Sequence, residues 1–99
     1  MAVFKGEGFR VHYESKRKHL DLILQDINPS EGFEMVNFDI IDGGNTEEYS
    51  LFLGEKKSIN GHPLKIQFEY LYGAKNGENS IYLKLYAPQN YRWNKIYLR

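Results

Sequence analysis

The stretch LKIQFEYLY, residues 64–72, is the part of the sequence that most clearly indicates the fold. Apolar or aromatic residues stand at every second position, and lysine, glutamine and glutamate fill three of the four positions between them. Side chains of a β-strand point alternately to its two faces, so a period of two predicts a half-buried strand. The residues predicted for its core side are Leu64, Ile66, Phe68, Tyr70 and Tyr72.

The same alternation recurs in about seven segments along the chain, separated by turns such as NPSEG at 28–32 and DGGN at 42–45. The pattern predicts an all-β fold, a single antiparallel β-sandwich or small barrel of about seven strands. A chain of 99 residues is predicted to form one domain, 1–99. The residues predicted to be buried are Leu22, Phe38, Leu51, Ile66, Phe68, Leu83 and Leu85.

Charge is strongly segregated along the chain, although the net charge is zero. From His19 to Glu55 there are nine acidic residues and no lysine or arginine, whereas residues 56–99 contain eight basic residues and two acidic ones. Such asymmetry suggests association with a partner or with a second copy. The alternative interpretation is that acidic and basic strands become neighbours and pair across a sheet.

Several functional classes are excluded or disfavoured by the composition. The absence of cysteine excludes disulfides, thiolate nucleophiles and cysteine-based zinc sites. No apolar run approaches the ~20 residues of a membrane helix, and no secretory leader pattern follows Met1. We therefore predict a cytoplasmic protein without a membrane segment and without a cofactor.

No motif in the sequence predicts catalysis or metal binding. The serines lie in no G-x-S-x-G elbow, and His12, His19 and His62 lack the spacing of zinc ligands, so we expect three surface histidines. DIIDGGNTEE, residues 39–48, lacks the spacing of a calcium loop and is predicted to be a solvated acidic hairpin. The protein is accordingly predicted not to be an enzyme.

The segment SIYLKLYAPQNYRWNKIYLR, residues 80–99, contains four tyrosines and the only tryptophan. We predict that Ile81, Leu83 and Leu85 point inward, followed by Ile96 and Leu98 in the last strand. The opposite register of the last strand would place Lys95 in the core, where a charge must be paired or neutralised. The residues predicted to share the outer surface are Tyr82, Lys84, Tyr86, Tyr91, Trp93, Lys95 and Tyr97.

Exposed aromatic residues interleaved with cations are typical of binding surfaces. The sequence therefore predicts a non-enzymatic binding module that engages a protein partner through this surface, together with the acidic middle segment. The alternative is an OB-like protein that binds single-stranded nucleic acid, because tyrosine, tryptophan and lysine also bind stacked bases and phosphates. Self-association, by default as a symmetric homodimer, is predicted from outward-facing Ile23, Met35, Ile41 and Phe52.

Overall fold

The computed structural model describes residues 2–13, 18–75 and 78–97, and every regular element within these ranges is a β-strand. The strands are β1 (Ala2–Phe4), β2 (Glu7–Tyr13), β3 (Lys18–Asn28), β4 (Met35–Asp42), β5 (Asn45–Phe52), β6 (Lys56–Ser58), β7 (Lys65–Lys75), β8 (Glu78–Tyr86) and β9 (Arg92–Tyr97). The predicted all-β fold is confirmed. Nine strands exceed the predicted seven because β1 and β6, each of three residues, are too short for alternation to reveal them.

The strands form two antiparallel sheets that pack against each other as a sandwich. The four-stranded sheet has the order β1-β8-β7-β6, and the five-stranded sheet has the order β5-β4-β3-β2-β9. The chain passes from one sheet to the other after β1, β5 and β8. The sheets are open and separate, which distinguishes this fold from the predicted alternative of a barrel.

The core lies between the two sheets and contains the residues that the alternation predicted. Leu22, Phe38 and Leu51 come from the five-stranded sheet, and Ile66, Phe68 and Leu83 face them from the four-stranded sheet; each has at most 2% of its surface exposed. Leu85 packs against this core and is only partly buried. Each fully buried aliphatic or aromatic side chain contributes roughly 1.5–3 kcal/mol through removal of apolar surface from water.

The turn that joins β4 and β5 is the tight hairpin predicted from DGGN. Asp42 pairs with Asn45, so Gly43 and Gly44 form a two-residue connection. Gly43 has φ 63°, a left-handed conformation that costs glycine little because it has no Cβ. The predicted acidic hairpin therefore ends in a turn whose backbone requires glycine.

Charge segregation along the sequence persists in three dimensions. The acidic segment forms most of β3 and all of β4 and β5, which are neighbours in one sheet, whereas the lysine-containing strands β6, β7 and β8 are neighbours in the other. The predicted pairing of opposite charges across strands is realised locally, between Arg10 and Asp21 and between Glu7 and Lys95. The two sheets consequently differ in the charge of their outer faces.

Candidate binding surface

The predicted aromatic surface is divided between two parts of the molecule. Tyr82, Lys84 and Tyr86 alternate along β8 with the inward-facing Ile81, Leu83 and Leu85, and they lie on the outer face of the four-stranded sheet as predicted. Strand β9 belongs to the other sheet, where it pairs with β2. The seven predicted residues therefore do not form one continuous surface.

The predicted register of β9 is wrong. Trp93 pairs with Val11 and Lys95 with Phe9, and both partners are buried in the core. Directly opposed residues share a face of a sheet, so Trp93 and Lys95 lie on the inner side of β9. Ile96 lies on the outer face, where its partner is Gly8. Leu98 lies outside the described residues, and only the backbone of Tyr97 falls within them.

Lys95 is tolerated on the inner side because it is paired. Its Nζ lies 3.1 Å from Oε1 of Glu7, a residue with 6% of its surface exposed. The same Glu7 oxygen accepts a hydrogen bond of 3.0 Å from the backbone N–H of Phe4. A charge in a core needs a partner, and Lys95 finds one on β2, which the sequence pattern does not identify.

Trp93 is half-exposed because it lies on β9, which is an edge strand of the five-stranded sheet. Trp93 packs its ring edge-on against Phe9 with centroids 5.3 Å apart and keeps 42% of its surface exposed. Tyr91, just before β9, stacks on Tyr13 at 5.9 Å and packs against the core. These two residues complete the edge of the sandwich.

A β-bulge in β7 brings two further tyrosines to the outer face of the four-stranded sheet. Phe68 pairs with Leu83 and Tyr70 with Tyr82, which leaves Glu69 as an extra residue. A bulge reverses the alternation beyond it. Tyr70 and Tyr72 are therefore 58% and 43% exposed, contrary to the prediction that they lie on the core side.

We call the resulting surface the tyrosine-lysine face. It consists of Tyr70, Tyr72, Tyr82, Tyr86, Lys56, Lys65 and Lys84. The ring of Tyr70 meets that of Tyr82 at 69° with centroids 6.1 Å apart. Lys56 places its Nζ 3.8 Å from the ring centroid of Tyr86, whose hydroxyl donates a 2.7 Å hydrogen bond to Oε1 of Gln67.

This network orders the lysine end of the face. A cation over an aromatic ring gains roughly 0.5–1 kcal/mol at an exposed site. Tyr86 is thereby held in place at both its ring and its hydroxyl, whereas Tyr70 and Tyr72 remain the more exposed aromatic rings. The face thus offers two exposed tyrosines, and Lys56 and Lys84 lie over the ring of Tyr86 on the same face.

The outer faces of β3, β4 and β5 in the five-stranded sheet carry carboxylates, and we call this area the acidic face. It consists of Asp21, Asp26, Asp39 and Glu48 together with the apolar residues Ile23, Met35, Ile41 and Phe52. The predicted outward direction of the four apolar residues agrees with this register. Ile23, opposite Gly8, is nevertheless only 4% exposed, whereas Phe52 is 56% exposed.

A polar cluster at one end of the sandwich was not predicted. Nε2 of His62 donates a 2.7 Å hydrogen bond to Oδ2 of Asp42, and the hydroxyl of Tyr13 donates one of 3.1 Å to Oδ1. The bond from His62 lowers the pKa of Asp42 below its ordinary value, burial opposes this, and the bond from Tyr13 adds to it. The side chain of His62 is only 8% exposed, so the prediction of a surface histidine is wrong.

A small cavity of about 80 Å³ adjoins this cluster, and its lining includes Asp42, Glu47, Asn60 and His62. Among the described residues that line it there is no serine, threonine, cysteine or lysine. Within residues 2–13, 18–75 and 78–97, no three histidine or carboxylate side chains are arranged to hold a metal ion. The cluster joins the β4–β5 hairpin to the loop between β6 and β7.

Comparison with known proteins identifies no relative: no protein-family model, curated protein or solved structure matches this chain. In the part of the chain that the structure describes, no helix is long and apolar enough to cross a membrane. We therefore infer the function from the chemistry of the two outer faces.

Proposed function

We propose that this chain is a non-enzymatic binding module that engages a protein partner through the tyrosine-lysine face. The observation that supports this most is the exposure of Tyr70 and Tyr72, at 58% and 43%, on a regular sheet face beside three lysines. Tyrosine is enriched among the residues that dominate binding energy, because it buries a large area with few rotatable bonds.

The tyrosines and lysines have different roles in this proposal. Burial of an exposed tyrosine at the centre of an interface contributes about 2 kcal/mol or more, which corresponds to roughly 30-fold in affinity. Lys65 and Lys84 lie around the tyrosines and increase the association rate with an acidic partner through long-range attraction. We therefore expect a partner surface with an apolar centre and an acidic border.

The proposed site differs in part from the one predicted from the sequence. Tyr82, Lys84 and Tyr86 stay in it, and Tyr70 and Tyr72 are added. Trp93 and Lys95 belong to the edge of the other sheet, and their role in partner binding stays a prediction. The cysteine-free composition is compatible with cytoplasmic location, which also stays a prediction.

Comparative capture tests the proposal. The wild-type protein, the variant Tyr70→Ser/Tyr72→Ser and the control Phe33→Ser are immobilised and exposed to a lysate of the native host, and retained proteins are quantified by mass spectrometry. Phe33 is 71% exposed and lies outside the tyrosine-lysine face, so it controls for the loss of any exposed aromatic ring.

The expected partner is retained by wild type and control and is lost from the double variant. Its purified form should then bind the double variant at least 30-fold more weakly than wild type. Equal affinity for all three proteins would contradict the proposal.

Single-stranded nucleic acid is the second candidate for the same face. It is favoured by the location of Asp21, Asp26, Asp39 and Glu48 on the opposite sheet, away from the lysines, where they repel phosphates least. Retention on a single-stranded DNA column that decreases with salt, and that is lost in Lys65→Glu/Lys84→Glu, would support this candidate. Absence of retention at low salt would exclude it.

A further inference from the structure

The two outer faces of the sandwich are complementary to each other in charge. One carries Lys56, Lys65 and Lys84, and the other carries Asp21, Asp26, Asp39 and Glu48. Between His19 and Phe52 the sequence contains no lysine or arginine. Asp21 is paired with Arg10 of β2, whose Nε lies 2.9 Å from its Oδ1, so the negative charge of this face comes mainly from Asp26, Asp39 and Glu48. Electrostatic complementarity of this kind selects partners and speeds their encounter.

The acidic face also offers exposed apolar groups. Phe52, which pairs with Met35 at the end of β5, is 56% exposed. Met35 lies on the same face and is partly buried. Phe52 and Met35 therefore form an apolar end to the acidic face, as Tyr70 and Tyr72 form the aromatic part of the other.

We propose that the acidic face of one molecule docks on the tyrosine-lysine face of a second copy. Carboxylates of the first meet lysines of the second, while Phe52 and Met35 meet the exposed rings of Tyr70 and Tyr72. The inference rests on the proposed function in one respect: both use the tyrosine-lysine face as a binding surface. A second copy on this face would cover the site assigned to the partner. Self-association therefore competes with partner binding.

The size of the faces is sufficient for such a contact. The molecule measures 40 × 25 × 24 Å, so an outer face is on the order of 1,000 Å², compared with roughly 800 Å² per partner in a standard interface. The two faces lie on opposite sides of the sandwich. The contact is therefore between unlike surfaces, and each added copy presents a new free face. We expect open chains of copies rather than a closed symmetric dimer.

A complementation experiment tests the arrangement. The first variant, Glu48→Lys/Phe52→Ser, alters the acidic face, and the second, Lys65→Glu/Lys84→Glu, alters the tyrosine-lysine face. All four side chains are exposed, so both variants are expected to fold, which circular dichroism and thermal melting verify. Lys5→Glu, a charge reversal in the turn between β1 and β2, is the matched control.

Sedimentation velocity at low ionic strength measures the association. Wild type and control should show a mass that rises with concentration without a plateau, and this rise should disappear at high salt. Each double variant alone should associate at least tenfold more weakly. An equimolar mixture should form a one-to-one dimer, because each variant retains the face that the other has lost.

Three results would overturn the inference. The first is that wild type remains monomeric throughout the micromolar range. The second is that the mixture of the two double variants remains monomeric while wild type associates. The third is that either double variant alone still forms a closed dimer. A monomeric wild type whose partner is still lost on Tyr70→Ser/Tyr72→Ser would reject self-association and retain the proposed function. If wild type associates but no captured protein depends on Tyr70 and Tyr72, the proposed function alone would be rejected.

Discussion

Replacement of Trp93 by alanine tests the position that the structure assigns to β9. Trp93 is 42% exposed, so of the roughly 250 Å² that a tryptophan side chain can bury, about 140 Å² is removed from water. At about 25 cal/mol per Å², and after subtraction of what alanine still buries, Trp93→Ala should lower the free energy of unfolding by ~2–3 kcal/mol. This is less than the ~3–5 kcal/mol of a fully buried aromatic residue and more than the near-zero cost of a surface one.

Urea denaturation followed by circular dichroism gives the required free energies. Phe33→Ala is the matched control, because Phe33 is 71% exposed, and its loss should cost below about 0.5 kcal/mol. A double-mutant cycle of Trp93 with Phe9 should give a coupling of ~0.5–1.5 kcal/mol from the edge-on ring contact at 5.3 Å. A cost for Trp93→Ala as small as that of the control would show that β9 does not present Trp93 to Phe9.

Four further substitutions have defined expected outcomes. Gly8→Ala should be among the most destabilising, because an added Cβ would lie 1.7 Å from the carbonyl oxygen of Leu22. Gly44→Ala should be mild, because a Cβ added there has no atom of another part of the chain within 4 Å. Equal melting temperatures of the two variants would contradict this. Phe68→Ala, at a site with 0% exposure, should cost ~3–5 kcal/mol in urea denaturation. Asp42, whose folded pKa lies below the ordinary 3.8, contributes stability that is complete above that value and is lost as pH falls through the folded pKa. Asp42→Asn should therefore be less stable at neutral pH and lose less stability on acidification, and parallel stability-pH curves would refute the assignment.

The sequence could predict the fold because alternation and turn chemistry are local properties. Leu22, Phe38 and Phe68 each follow an apolar residue two positions earlier with a polar residue between them, and each is buried. The alternation fails where a bulge adds a residue, as at Glu69 in β7. The sequence of residues 64–72 does not indicate the bulge. Without it Tyr70 and Tyr72 would continue the inward positions of Ile66 and Phe68, and with it Leu71 packs against the core instead.

The candidate surface could be predicted only in part, because it depends on which strands become neighbours. Tyr82, Lys84 and Tyr86 follow from the alternation of β8 alone. The inward position of Lys95 depends on Glu7, and the burial of His62 depends on Asp42, which is 20 residues away in the sequence. Such pairs are set by the packing of the two sheets, and periodicity within a single strand contains no information about them.

The pairing of β1 with β8 and of β2 with β9 has a consequence for the order of folding. The hairpin of β4 and β5 closes through two residues, whereas the pairing of Val3 with Ile81 closes a loop of roughly 80 residues, at an entropic cost of about 4 kcal/mol by the logarithmic loop law. The meander from β3 to β5 can therefore form early, and the strands nearest the two ends of the described chain are joined late. Folding should accordingly take milliseconds to seconds, as for other β-sandwiches with predominantly non-local contacts. Mutations in β9 should then accelerate unfolding while leaving the folding rate almost unchanged.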